Sequence, residues 1–122
     1  MQTVIEKNGK LYLAFINESV KSFTNLVEIP YILVKISEIE GMSRERFMLW
    51  ARTCVGCPIV INPSVHVKGD GRVKITSTKD VTNFVIVDPV KFTIEYKSFI
   101  FNVNSADQAL NIGYRVIEML DI

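Results

Sequence analysis

The 122-residue chain carries few residues able to do covalent or metal chemistry: one histidine, two cysteines and one tryptophan. Any nucleophilic constellation would have to use His66, because there is no second histidine in reserve. Cys54 and Cys57, only three positions apart, cannot staple distant parts of a fold, so the fold must stand without disulfides. No apolar run approaches the roughly 20 residues of a membrane span. The start, MQTVIEKNGK, lacks the basic-then-apolar build of a signal peptide. Neither sign of charge is in excess, with 14 basic against 13 acidic residues, so no global field draws the chain to nucleic acid or to an anionic membrane. Linkers, repeats and low-complexity tracts are missing as well. These absences lead us to expect a cytoplasmic protein with reduced thiols, no membrane partner and a single domain over residues 1–122.

What is present is a well-patterned C-terminal third. Val90 to Leu120 reads as a β-hairpin that runs into an amphipathic helix. Pairing about a Lys97-Ser98 turn sets Phe92 opposite Val103, Ile94 opposite Phe101 and Tyr96 opposite Phe99, with all six side chains on one face. Ser105 is placed to cap the helix, and Gln108 completes an S-x-x-Q capping box.

At the other end, Asn8-Gly9 supplies the positive-φ pair of a tight hairpin turn within Thr3–Ile16. Asn17 to Leu26 is polar and serine-rich and fits a short helix or a loop. The continuous apolar run Tyr31-Ile32-Leu33-Val34 in Val27–Ser37 reads as a strand covered on both sides, with Pro30 at its start. Ser43 can cap a helix in which Phe47, Trp50, Ala51 and Cys54 form one stripe. Beyond it the text is that of strands: Ile59–Ile61, then Val65–Lys68 and Arg72–Thr76 about a Gly69-Asp70-Gly71 turn, then Phe84–Val87. The expected fold is α+β, a mainly antiparallel sheet built of hairpins with two main helices, about 43–55 and 105–121, packed on it.

Three constellations invite a chemical reading. Cys54 and Cys57 with His66 are candidates for a metal or thiol site. Cys54, however, sits at the C-terminal end of its helix, where the dipole has the wrong sign to activate a thiol, and zinc would want a fourth ligand such as Asp70. Ser64 and His66 point the same way on a strand but some 6 to 7 Å apart, too far for direct proton transfer. Gly69-Asp70-Gly71 is followed by a strand, which a phosphate loop is not. The strand alternation does gather His66, Lys68, Arg72 and Lys74 on one face of the 65–76 hairpin, a basic ribbon able to track a phosphate backbone. No aromatic residue is interleaved in it to stack a base.

The C-terminal helix has more apolar surface than a sheet needs. Ala109, Gly113, Ile117 and Leu120 would cover the hairpin, which leaves Ile112, Val116 and Met119 as a second stripe, to be met either by the Trp50 helix or by a partner subunit. With no credible catalytic set and no cofactor expected, the sequence argues for a non-enzymatic interaction or assembly module. Such a module would be homo-oligomeric or would bind another protein, through Ile112, Val116 and Met119 or through a free sheet edge. Nucleic-acid binding by the ribbon is the alternative, and a metal or thiol site the third.

Overall fold

A computed structural model describes residues 2–122. The α+β class holds: two antiparallel sheets, of three and five strands, accompany three helices. The chain divides into two compact units, one ending at Pro58 and the other spanning Ile59–Ile122.

The first unit opens with β1 (Gln2–Lys7) and β2 (Lys10–Asn17), antiparallel in the register that the Asn8-Gly9 turn imposes. Both turn residues take positive φ, 54° and 78°. Of the polar segment after them, expected to be a short helix or a loop, residues 18–21 are a turn and the rest is strand. Ser22–Glu28 is a third strand, β3, on the far side of β2. Its sequence is a poor strand former, and the unpaired edge of β2 supplies what local propensity does not.

The segment read as a buried strand is a helix, α1 (Tyr31–Ile39). Pro30 stands at its N-cap, a place that needs no amide donor, and Leu33 N–H donates to Pro30 O at 3.0 Å. Ile32, Leu33, Ile36 and Ser37 are buried, at spacings of one, three and four that wrap one side of a helix. A short apolar run cannot separate buried strand from buried helix. Here the pair Ile36-Ser37, one turn on, carried the answer. A Schellman arrangement ends α1, with Gly41 N–H donating to Glu38 O and Met42 N–H to Ser37 O. The next helix, α2 (Arg44–Cys54), starts as its sequence predicts: the Ser43 hydroxyl accepts from Arg46 N–H at 3.2 Å. Phe47, Trp50 and Ala51 are buried, and the Phe47 and Trp50 rings lie 5.6 Å apart.

The second unit is a five-stranded meander closed by one helix. Its strands are β4 (Ser64–Val67), β5 (Val73–Thr76), β6 (Phe84–Asp88), β7 (Thr93–Tyr96) and β8 (Phe99–Asn102), ordered in the sheet as in the chain. Ile59–Ile61, expected to be a strand, is irregular. Ile94↔Phe101 and Tyr96↔Phe99 pair as predicted. Phe92 departs from the prediction: it precedes β7 with φ 56° and is exposed, although its carbonyl still accepts from Val103 N–H at 2.9 Å.

Helix α3 (Ala106–Asp121) packs on β5, β6 and β7. The Ser105 hydroxyl accepts from Gln108 N–H at 3.1 Å, and the Gln108 side chain returns a bond to Asn104 N–H, one residue before the cap. Ile75, Val85, Val87, Ile94 and Tyr96 make the buried wall of the sheet. Gly113 lets the helix come close to that wall, since a Cβ there would sit 3.0 Å from Val87 Cγ2 and 3.1 Å from Ile75 Cδ1. At the helix end, the buried Ser77 hydroxyl reaches the Asp121 carboxylate at 2.7 Å and accepts from Lys79 and Asp80 N–H, which ties the β5–β6 loop to α3.

Candidate functional site: the free edges of the five-stranded sheet

Every rung of the β4–β8 sheet sorts its side chains between two faces. The rung Val67–Val73–Val87–Ile94–Phe101 lies on the side that α3 covers. The next, His66–Lys74–Ile86–Glu95–Ile100, lies on the helix-free side. Burial is complete at the middle of the covered face and fades towards both outer strands, because a single helix is too narrow to shade five strands. On that face Val65 and Val67 of β4 remain 47% and 65% exposed and Phe99 of β8 41%, while Ile100 of β8, on the helix-free face, is 65% exposed. Both outer strands also lack a second backbone neighbour. Exposed apolar side chains therefore coincide with unpaired backbone at each end of the sheet. That combination is the usual template for strand addition.

The predicted basic ribbon forms, and two of its side chains, Arg72 and Lys74, are engaged. His66 pairs across from Lys74, with Lys68 and Arg72 flanking the turn of the hairpin. Arg72 Nε binds Asp70 Oδ2 at 2.8 Å, and its Nη1 stands 3.9 Å from Glu95. Lys74 Nζ sits 4.3 Å over the Phe84 ring. An aromatic residue does share the ribbon's face, then, contrary to the sequence reading. It comes from β6, which strand spacing within the ribbon could not reveal. Asp70, with Arg72 N–H and then the Arg72 side chain bound to it, is held below the usual carboxylate range. Asp88 is lowered chiefly by the Lys91 N–H and Asp80 by the Thr82 side chain and N–H, so these three acids build turns. The open hollow bordered by Arg72, Ile86, Asp88, Lys91, Glu95 and Ile100 holds the Arg72–Glu95 pair and an Asp88 carboxylate that accepts from the Lys91 backbone N–H.

The cysteines do not assemble a site. Cys54 is half-buried, with Sγ 3.4 Å from Thr53 Oγ1, and Cys57 is exposed with its N–H donating to Cys54 O. Among the described residues no group of three or more histidine, cysteine or acidic side chains could hold a metal. His66 belongs to the second unit and the cysteines to the first.

The second stripe of α3 is not a free surface. Ile112, Val116 and Met119 are 7%, 0% and 0% exposed in the chain on its own. This removes the excess apolar surface on which a partner contact at those residues was argued. Glu118 is buried too, with its carboxylate 2.8 Å from Arg115 Nη1. The residues that sequence reasoning missed are Val65, Val67, Phe99 and Ile100. A signal for the last two does exist, since no charged residue, proline or glycine occurs from Ser98 to Ala106. That β8 is an outer strand is visible only in the folded sheet. Comparison with known protein families, curated proteins and solved structures finds no match for the chain.

Proposed function

We propose that the protein is a non-enzymatic assembly module that forms homo-oligomers through a free edge of its five-stranded sheet. One observation carries this reading: both outer strands combine unpaired backbone with exposed large apolar side chains. Natural sheets usually blunt such edges, so an edge left open fits a strand that is met by another chain. A cytoplasmic setting suits it, with Cys54 and Cys57 outside any disulfide and no described helix long and apolar enough to cross a membrane. Size-exclusion chromatography with light scattering, from low micromolar to several hundred micromolar protein, should show mass rising above 13.9 kDa with concentration. A mass that stays at one chain throughout would overturn it.

A second reading, nucleic-acid binding by the ribbon, draws support from His66, Lys68, Arg72 and Lys74 sharing one face at the exposed β4 edge. Engagement of Arg72 by acids and of Lys74 by Phe84 weakens it. It predicts a shift of single- or double-stranded probes at low salt that fades steeply as salt is added. Lys68→Glu should abolish that shift.

A further inference from the structure

The second unit presents two outer strands, β4 and β8, and the first presents β1 and β3, and the four are not equally open. β1 lies against α2 and ends in the charged pair Glu6-Lys7. β3 is blunted: a register shift interrupts its pairing between Leu13 and Phe15, Asn25 has φ 50°, and Glu28 lies at its end, paired with Lys10. β4 runs directly into Lys68, a flanking charge of the kind that blunts an edge. β8 has none of these devices. It is regular in register with β7 and uncharged from Ser98 to Ala106, and its Phe99 and Phe101 rings stack at 6.5 Å on the side that α3 covers.

The backbone parity of β8 selects the occupant. Val103 N–H donates to Phe92 O, so the hydrogen-bonded pairs of the hairpin are Phe92/Val103, Ile94/Phe101 and Tyr96/Phe99. Within β8, Ile100 and Asn102 therefore turn their N–H and C=O groups outward. A second β8, antiparallel and related by a two-fold axis normal to the sheet, must keep each side chain on its own face. That condition allows only registers centred on a residue. Centring on Ile100 satisfies every requirement together. Ile100 exchanges two backbone bonds with its own copy, Phe99 falls opposite the second copy's Phe101, and Asn102 reaches the second copy's Lys97-Ser98 turn, with no charges opposed.

We propose that the β8 edge is a homodimer interface in which two copies join their sheets about Ile100. The resulting sheet has ten strands with both α3 helices on one face. The proposal rests on the assembly reading above and names its partner and register.

Three variants test it, each read by light scattering and circular dichroism. Ile100→Pro removes only an outward donor, because the Ile100 amide takes no part in the β7 ladder. It should lower self-association by at least tenfold while the spectrum stays that of the wild type. Ile100→Lys, which leaves the backbone unaltered, should do the same and serves if the proline variant does not fold. Ile100→Cys, in a Cys54→Ser, Cys57→Ser background, should form an intermolecular disulfide on mild oxidation, since paired Cα atoms there would stand about 5.5 Å apart. Ser98→Cys and Asn102→Cys, each four residues out of register with its own copy, should not. If the wild type self-associates but none of the Ile100 variants alters or traps the dimer, the β8 interface is overturned and the assembly reading stands. Loss of association in Val67→Pro alone would move the contact to β4. A wild type that is monomeric at every concentration overturns both.

Discussion

In the first unit the buried side chains are bulky and come from every kind of element: Leu13 and Ala14 from β2, Ile32, Leu33 and Ile36 from α1, Phe47 and Trp50 from α2. The second unit instead sets a wall of mostly β-branched side chains, Ile75, Val85, Val87 and Ile94, against a helix that offers Gly113 at the point of closest approach. One unit depends on volume being present, the other on volume being absent. Removing atoms should therefore harm the first unit most, and adding them should harm the second.

The largest effect should come from Trp50→Ala, which deletes a fully buried side chain and should cost about 3–5 kcal/mol by chemical denaturation. Trp50→Phe should cost far less. It keeps most of the volume and removes an indole N–H that is buried without a hydrogen-bond partner. A Phe variant as damaged as the Ala variant would break the volume argument.

Next, Arg115→Met strands the buried Glu118 carboxylate and should cost about 3 kcal/mol, of which Glu118→Leu in the same chain should recover a large part. Gly113→Val should follow, at about 1–3 kcal/mol, because its added atoms would meet Val87, Ile75 and Val85. Gly113→Ala should be nearly neutral, its gain of about 1 kcal/mol in helix propensity offset by the same contacts. A stabilised valine variant would show that the helix can lift off the wall.

Smaller again are the caps. Ser43→Ala and Ser105→Ala should each cost about 1 kcal/mol, with Ser105 the more sensitive because its box is reciprocated through Gln108. The smallest effect is on pH dependence, and it separates the units. Asp70, Asp80 and Asp88, all in the second unit, have carboxyls lowered by turn hydrogen bonds. A lowered folded-state value gives stability that is present above the unfolded value and lost as pH falls through the folded one. Denaturation midpoints should therefore begin to drop below about pH 4, and the slope should lessen in Asp80→Asn and Asp88→Asn.

Features that rest on neighbouring residues were legible in the sequence. The Asn8-Gly9 turn, the Ser43 and Ser105 caps, the Ile94/Phe101 register and the Phe47, Trp50 and Ala51 positions of the α2 stripe all depend on chemistry within a few positions and are as expected, while Cys54, placed on the same stripe, is only half-buried. The errors fall where a segment's state depends on what covers it. Ile32-Leu33-Val34 suits a strand or a helix equally, and β3 is a strand because β2 lies beside it. The edge residues Phe99 and Ile100 belong to the same class. Their apolar character is written in the chain, but their exposure follows from β8 being outermost.

The sequence by itself determined the α+β class, the turns, the caps and which strand faces are apolar, because these follow from backbone preference and from periods of 2 and 3.6 residues. Only the tertiary structure decided which apolar surface is spare. The stripe of Ile112, Val116 and Met119 is covered within one chain, while the outer strands of the five-stranded sheet are left open. The reason is geometric. Burial is a property of neighbours distant in sequence, and a single helix laid along a five-stranded sheet cannot reach its edges.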